Sequence, residues 1–353
     1  MKSIKEGADP EKDVGLVADL KFTLIIPSYN GGDYLKECVA SIQAQTCPDF
    51  TLAVLDDGST DGSLEWLHGL DEPRLTLHSA PEHLGIVRNW GRALEIPKAE
   101  FMTIIGQDDL LGPDYLAVMD ALTRKHPDAG LYHAHFRFID ARGKVIRPCR
   151  PLPAREKAAE YLTALFTGSR DTYGTGYLMR SARYEAVGGI PAFEKLLFAD
   201  DALWMALMDG SYKATASEAC FSCRLHPASA SGGTGWQSWL AAMPPYAAFL
   251  ADTAARDPDF SRAYADHASG YFEGWQRSLW ILALTRATRQ NRRVEPEALE
   301  TIAGVTARMP PALHLDAGQA FAAGPGMRAR AWINGRGWAR AAYNAYVRGR
   351  YGT

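Results

Sequence analysis

The chain has 353 residues, 47% of them apolar and 22% charged, with a net charge of −3. That apolar share is ample for a core and excludes global disorder, while the charge by itself decides nothing about nucleic acid. The five cysteines, Cys38, Cys47, Cys149, Cys220 and Cys223, are odd in number and scattered, which speaks against a disulfide framework and for a reducing compartment.

In chain order, residues 1–20 read as a charged leader without the apolar stretch of a secretory signal. No window of about 18 apolar residues follows, so no segment is predicted to span a membrane, and a cytoplasmic globular protein is expected. "FTLII" (22–26) is a short run of β-formers and predicts a buried strand. In the next segment Tyr34, Leu35, Cys38, Val39 and Ile42 recur at helical spacing. "FTLAVL" (50–55) predicts a second strand, followed by a short helix with Asp61 as its N-cap. "RLTLHS" (74–79) is a strand, "GIVRNWGRALEI" a helix and "EFMTII" (100–105) a fourth strand. Then come a helix opened by Pro113 and a fifth strand over 130–140. Such alternation predicts a parallel α/β sheet, whose ligands sit at the carboxyl ends of the strands. "RPCRPLP" (147–153) breaks the pattern. Helices are predicted over "AREKAAEYLTALFTG", "SARYEAVGG" and "FADDALWMALMDG", with a strand at "TGYLMR" and strand pieces in "YKATASEACFSCRLH". From 236 on the chain reads as mainly helical, with a linker at 308–326.

Three acid pairs, Asp56–Asp57, Asp108–Asp109 and Asp200–Asp201, fall at presumed strand or helix ends. Adjacent carboxylates repel unless a proton or a cation intervenes. A magnesium or manganese ion that also ligates substrate phosphates removes the conflict. A solvated loop or an N-cap explains any one pair equally well, but recurrence after successive strands weakens that explanation. No G-x-G-x-x-G follows the first strand, and no P-loop occurs.

The ordered motifs "IIPSYNGGDYLKECVASIQAQT", "LAVLDDGSTDGSLEWL", "LGIVRNWGRAL" and "IIGQDDLLGPDYL" resemble the family 2 glycosyltransferases of the GT-A fold. The resemblance runs from about residue 22 to 230. It implies an α/β nucleotide-diphospho-sugar transferase fold, with a mostly parallel central sheet flanked by helices. The catalytic domain would cover 21–235, and 236–353 would form a helical extension. Pro27, Ser28, Tyr29 and Asn30 are then expected to line the nucleoside pocket, with Tyr29 stacked on the base. Asp57 would accept a hydrogen bond from the base, Asp56 would support its loop, and Arg88 would lie near the diphosphate, with Gly85 and Asn89 shaping the loop around it. An Arg fork suits phosphate because it bonds two oxygens at once.

The family's metal motif is D-x-D followed by a further Asp. Here the run is Gly106-Gln107-Asp108-Asp109, so a glycine replaces the first acid. The resemblance places Gln107 and Asp108 at the donor, with Asp108 on Mn2+ or Mg2+ and Asp109 in support. In "FADDALWMAL" it makes Asp201 the general base of an inverting single displacement, with Asp200 orienting it or binding acceptor. An ordinary carboxylate is a weak base, but it need only take the proton as the new bond forms. In "CRLHPASAS" it implies that His226 ligates the metal or binds phosphate and that Arg224 holds the departing diphosphate. The implied donor is a nucleotide sugar, a UDP-sugar with dTDP as the alternative. The implied acceptor is a glycan or a polyprenyl-diphosphate-linked chain of bacterial surface-polysaccharide assembly. The changed metal motif leaves a rival open, a non-catalytic nucleotide- or glycan-binding protein of the same fold. A nucleotidyltransferase would need a glycine-rich, basic first loop that is missing.

Cys220 and Cys223 have zinc-like spacing but no second pair, and in a strand they point to opposite faces. His133 and His135 share a strand face and are expected to be packed or acceptor-facing rather than metal-bound. After Asp316 there is no acid, while Arg328, Arg330, Arg336, Arg340, Arg348 and Arg350 interleave with Trp332, Trp338, Tyr343, Tyr346 and Tyr351. That composition suits peripheral contact of 327–353 with an anionic membrane surface. A helix packed on the catalytic domain explains it as well, and no nucleic-acid partner is expected.

Overall fold

A computed structural model describes residues 20–226 and 235–289, together with Gly304, Val305 and Met309. They divide into two units, one ending at Gly233 and the other starting at Thr234. The expected leader up to residue 19, the linker apart from Met309, and the Arg-rich stretch 327–353 lie outside the described residues.

The first unit is built on strands β1 (Phe22–Ser28), β2 (Phe50–Asp56), β3 (Leu75–Ser79) and β4 (Phe101–Ile104). They lie in the order β3-β2-β1-β4, all parallel. β1 and β2 are buried along their whole length, because each has a parallel neighbour on both sides and covered faces. This is why "FTLII" and "FTLAVL" read as unbroken apolar runs. Among the described residues β3 has a partner on one side only, and it alternates between buried and half-exposed positions before an exposed end.

Helix α1 (Gly32–Gln43) buries Leu35, Cys38, Val39 and Ile42, as its spacing predicts. Tyr34 stays half-exposed. Helix α2 (Ser63–His68) starts from Gly62 at φ 89, one residue beyond the predicted cap. Asp61 nonetheless accepts from the Ser63 and Gly32 amides, at 3.0 and 2.9 Å. Helix α3 (Ile86–Gly91) continues into a 3-10 turn, Arg92–Leu94.

Beyond β4 the sheet is mixed rather than mostly parallel. After β5 (Leu110–Leu111) and α4 (Tyr115–Lys125), strand β6 (Leu131–Ile139) does not pair with β4. The chain continues through β7 (Val145–Pro148), β8 (Arg155–Glu156) and α5 (Ala158–Phe166). Only then does β9 (Leu178–Arg180) fill the gap, antiparallel to both β4 and β6. Helices α6 (Ser181–Ala186) and α7 (Ala199–Leu207) lead into β10 (Lys213–Arg224). The strand pieces predicted there form one long strand, parallel to β6, with register shifts after Ala216 and Ala219. β5 and β8 pair antiparallel to β10, and β7 to β6.

One feature of this pairing positions the site. Ser222 pairs with Leu110 and Phe221 with Leu111. Continued by two residues, that register sets Arg224 opposite Asp108. The end of β10 is thereby laid over the acid pair that follows β4.

The second unit holds α8 (Trp236–Ala254) and α9 (Pro258–Arg289), which pack on each other. Leu240, Met243, Tyr246 and Leu250 of α8 and Phe260 and Phe272 of α9 are buried, and Trp239 stacks on Trp275. Among the described residues no helix is long and apolar enough to cross a membrane.

Candidate functional site

The carboxyl ends of β1 and β2 are aligned, Ser28 beside Asp56, with Pro27 beside Leu55 one step inside. Tyr29 leaves the strand 40% exposed, with its ring tilted against His83 at 4.0 Å between centroids. Asn30, at φ 48, takes its amide to Ser59 and accepts from the Thr60 amide. Asp56 is buried and accepts from the amides of Gly58 and Ser59. Asp57, also buried, accepts from the amides of Leu84 and Gly85 at 2.7 and 3.0 Å, and His83 Nδ1 lies 3.0 Å from Oδ2. Each acid of the first pair thus holds one loop of the rim. Asn89 bonds the backbone carbonyls of Ser28 and Leu55. Arg92 bonds Asn89, the Asp56 carbonyl and the His78 carbonyl. Arg88 is exposed on α3, its side chain with no ion pair or hydrogen bond among the described residues.

The second pair is divided in role. Asp108 stays partly exposed and bonds His226 Nε2 through Oδ2 at 2.7 Å. Asp109 is fully buried. It accepts from Thr175 Oγ1 at 2.6 Å, the Arg224 amide at 3.0 Å and the Tyr173 hydroxyl at 3.2 Å. Burial, followed by the neighbouring Asp108 charge, pushes its carboxyl up to about 8. Gly106 has a steric reason here. A Cβ at that position would stand 2.8 Å from Asp108 Oδ1 and 2.9 Å from Asp109 Oδ2. Both carboxylates lean into the space that an acid's side chain would need. Thr175→Val keeps the shape and leaves Asp109 Oδ2 one donor short. The expected cost is about 1–3 kcal/mol, read as a lower melting temperature.

Two residues expected on the donor sit otherwise. Gln107 turns back to β1: its Oε1 accepts from Ser28 Oγ and the Tyr29 amide, and its Nε2 donates to the Tyr29 carbonyl. Its side-chain groups are engaged with the rim rather than presented to a ligand. Arg224, expected at the diphosphate, is 1% exposed. Its guanidinium bonds Glu37, the Asp108 carbonyl and the Ala141 carbonyl, and lies 4.7 Å from the Tyr34 ring. A side chain so buried braces the acid loop from below and cannot reach a diphosphate from there. Tyr34 also sits 4.9 Å from His226, a placement that helical spacing alone conceals.

The third pair opens α7. Lys195, Leu196 and Phe198 all take positive φ just ahead of it, at 51, 58 and 63°. Left-handed backbone at side-chain-bearing residues stores strain, of the order of 1 kcal/mol each or more. Asp201 is 9% exposed and accepts from the Tyr161 hydroxyl at 2.7 Å. Burial, followed by the charge of Asp200, pushes Asp201 up to about 8, and burial also raises Asp200.

The segment 173–175 joins the second and third pairs. Tyr173 and Thr175 bond Asp109, while a Cβ on Gly174 would stand 2.8 Å from Asp200 Oδ2. Two acid pairs some 90 positions apart in sequence therefore meet the same short segment, Asp109 at Tyr173 and Thr175 and Asp200 at Gly174. Nothing in the sequence marks Tyr173, Thr175 or Tyr161 for this. A Tyr among the apolar residues of "AAEYLTALF" is the one faint signal.

The remaining polar residues singled out in the sequence are structural. His133 is buried and stacked on Tyr177 at 3.8 Å, and burial holds its ring well below the usual range. His135 bonds the Ala216 carbonyl and the Leu152 amide. All five cysteines are free. Among the described residues no three His, Cys, Asp or Glu side chains converge as a metal cage. Asp108 and His226 are the pair that fits a shared cation, an oxygen and a nitrogen donor already 2.7 Å apart.

Residues 23–184 match the family described as glycosyl transferase family 2. EpsH of Bacillus subtilis (strain 168), provisionally named a glycosyltransferase, is 28% identical over 168 residues, 46% of this chain and 48% of that protein. An uncharacterized glycosyltransferase of Haemophilus influenzae is 27% identical over 146 residues, 40% of this chain and 56% of that one. The chain spans about half the length of these curated relatives. Among solved structures, residues 1–349 of S. aureus TarS superpose with a TM-score of 0.62 in complex with UDP-GlcNAc and 0.61 in complex with UDP. Each has 17% identity and covers 92% of both chains. At that identity the likeness is one of fold. The family match begins in β1 and ends in α6, taking in the first two acid pairs and the segment that joins the second to the third; over residues 23–184 the chain is similar to glycosyl transferase family 2.

Proposed function

We propose that the chain is an inverting glycosyltransferase that moves a sugar from a UDP-sugar to a hydroxyl of a glycan or polyprenyl-diphosphate-linked acceptor. The observation that carries this reading is the contact of residues 173–175 with both Asp109 and Asp200, which sets an acid pair suited to a diphosphate beside one suited to an acceptor. The acceptor hydroxyl passes its proton to Asp201 as its oxygen bonds the anomeric carbon. The bond from that carbon to the diphosphate breaks on the opposite face, and its electrons leave with UDP. Asp57 and Tyr29 frame the nucleoside, and the exposed Arg88 reaches the diphosphate. UDP is preferred to dTDP because the same fold carries UDP and UDP-GlcNAc in TarS. Asp108 and His226 would hold Mn2+ or Mg2+, with diphosphate oxygens and water filling the shell. A cation there supplies charge neutralisation for the leaving diphosphate. A cytoplasmic location, peripheral to the membrane, completes the proposal and agrees with the five free cysteines.

The test is nucleotide release from a panel of UDP- and dTDP-sugars, with manganese and an acceptor pool. Release of UDP above the acceptor-free background is expected. Chelation by EDTA is expected to weaken UDP binding by about tenfold or more, with recovery on adding Mn2+, since two protein ligands alone leave the diphosphate charge uncompensated. Gly106 in place of an acid favours one rival, a protein that binds the nucleotide without turnover. UDP binding by calorimetry with no release from any donor would establish that rival.

A further inference from the structure

Behind Asp201 lies a buried polar cluster. Tyr161 of α5, which packs on α7, is fully buried and donates its hydroxyl to Asp201 Oδ1. This is the one side-chain hydrogen bond that Asp201 accepts among the described residues. Two cations stand against the Tyr161 ring, Lys213 Nζ and the Arg170 guanidinium, each 5.1 Å from its centroid. Both pair with Glu156: Arg170 through two bonds, Lys213 Nζ at 2.9 Å. The side chains of Glu156 and Lys213 are 1% exposed and that of Arg170 is 6% exposed.

The charge count is the informative part. With Lys213 protonated, two cations share one carboxylate, and a buried charge without a counter-charge is costly. The excess positive charge is offset when Asp201 is ionised, and Arg170 does act on Asp201 in that sense. The charged or titratable groups around Asp201 come from every neighbouring element. They are Asp200 on α7, Tyr161 on α5, Glu156 on β8, Lys213 on β10, and Arg170 and Tyr177 on the segment between α5 and β9. His133 of β6 stacks on the far side of Tyr177.

We infer that Tyr161 is a positioning residue for Asp201: its hydroxyl fixes Oδ1 so that Oδ2 is presented to the acceptor, and the Arg170–Glu156–Lys213 cluster behind it favours the ionised carboxylate and holds it in place. The inference rests on the glycosyl-transfer reading above. Burial and Asp200 raise the Asp201 carboxyl, whereas the Tyr161 bond and Arg170 oppose them. Removing either opposing group lets Asp201 hold its proton to higher pH.

The experiment compares the wild-type protein with Tyr161→Phe and Arg170→Met. The second variant leaves Glu156 and Lys213 as a one-to-one pair, and so keeps the cluster neutral. In both, the acid limb of the pH–kcat profile is expected to move up by about one unit, so transfer at pH 7 falls about tenfold and largely recovers at pH 9, with the donor KM unchanged. A second readout needs no turnover. The infrared carboxyl band that vanishes in Asp201→Asn is titrated in each protein, and its midpoint is expected to rise in both variants. If no protein transfers sugar but the infrared midpoint rises, the transfer reading falls and the positioning role stands. If transfer occurs and neither profile nor midpoint moves in either folded variant, or activity drops equally at every pH, the inference is overturned.

Discussion

Asp201→Asn is expected to lower kcat for sugar transfer by about 10²–10⁴-fold, the usual worth of a positioned general base, while UDP binds as before. The amide keeps the shape and still accepts the Tyr161 bond at Oδ1, so the loss belongs to proton removal. Burial and Asp200 push the wild-type carboxyl up to about 8, nearer to working pH than an ordinary acid and hence a better base. Transfer should therefore rise with pH toward 8 in the wild type. Stability should run the other way. The folded protein holds the Asp201 proton up to about 8, whereas the free group releases it near 3.8. Between those values the folded state binds more protons than the unfolded one, so this group costs stability as pH climbs through that window. Asp201→Asn removes the cost, and should melt several degrees higher than the wild type at pH 8, with the two converging near pH 4. Unchanged transfer in the variant would refute the base assignment. Lost transfer with lower stability at pH 8 would mean that Asp201 is mainly a structural anion.

Glu156→Gln is expected to be the most destabilising single change in the first unit. It leaves Arg170 and Lys213 buried together without their shared carboxylate. Breaking a buried ion pair from one side costs about 3–5 kcal/mol. For a unit of this size that corresponds to a fall in melting temperature of roughly 6–20 °C. Higher pH should soften the loss. Burial, with Arg170 nearby, lowers Lys213 to about 7 from a free value of 10.5. Between those values the unfolded chain holds the proton that the folded chain has released, so folding gains as pH rises across the window. Arg170 offers no such relief, because its guanidinium does not deprotonate in this range. A thermal melt of Glu156→Gln at pH 7 and pH 9 checks both statements. A shift under about 1 kcal/mol at pH 7 would show that the cluster is hydrated rather than dry.

Much of the first half was readable from residue order, for a physical reason. β1, β2 and β4 are buried on both faces, so their apolar runs are unbroken, and each is followed by its own helix, with an acid pair at the ends of β2 and β4. The second half resisted because its contacts are distant. β9 reaches its place between β4 and β6 only after a detour through two strands and a helix. The fate of Arg224 depends on the register between β10 and β5, which no local pattern encodes. Read from its motif, Arg224 is a cation for a diphosphate; in the fold the same register sinks it under the Asp108 loop beside Glu37. Gln107 misled in another way, because its amide finds Ser28 and Tyr29 nearly 80 positions earlier. The Tyr161 cluster draws on α5, β8 and β10, and only the β8–β10 pairing brings Glu156 beside Lys213.

The late arrival of β9 and β10 bears on how the protein is made. The family match stops at residue 184, yet β6 lacks its long parallel partner until the ribosome has delivered residue 224. A nascent chain halted before β9 has bare edges on both β4 and β6, the kind of surface that recruits other strands. Pairings closed across such long loops are slow to form. A gene cut at the family boundary keeps β9 but loses β10, so β6 retains a bare edge and the chains should aggregate rather than form a smaller domain, and chaperone demand should peak while the stretch between β6 and β10 is being synthesised.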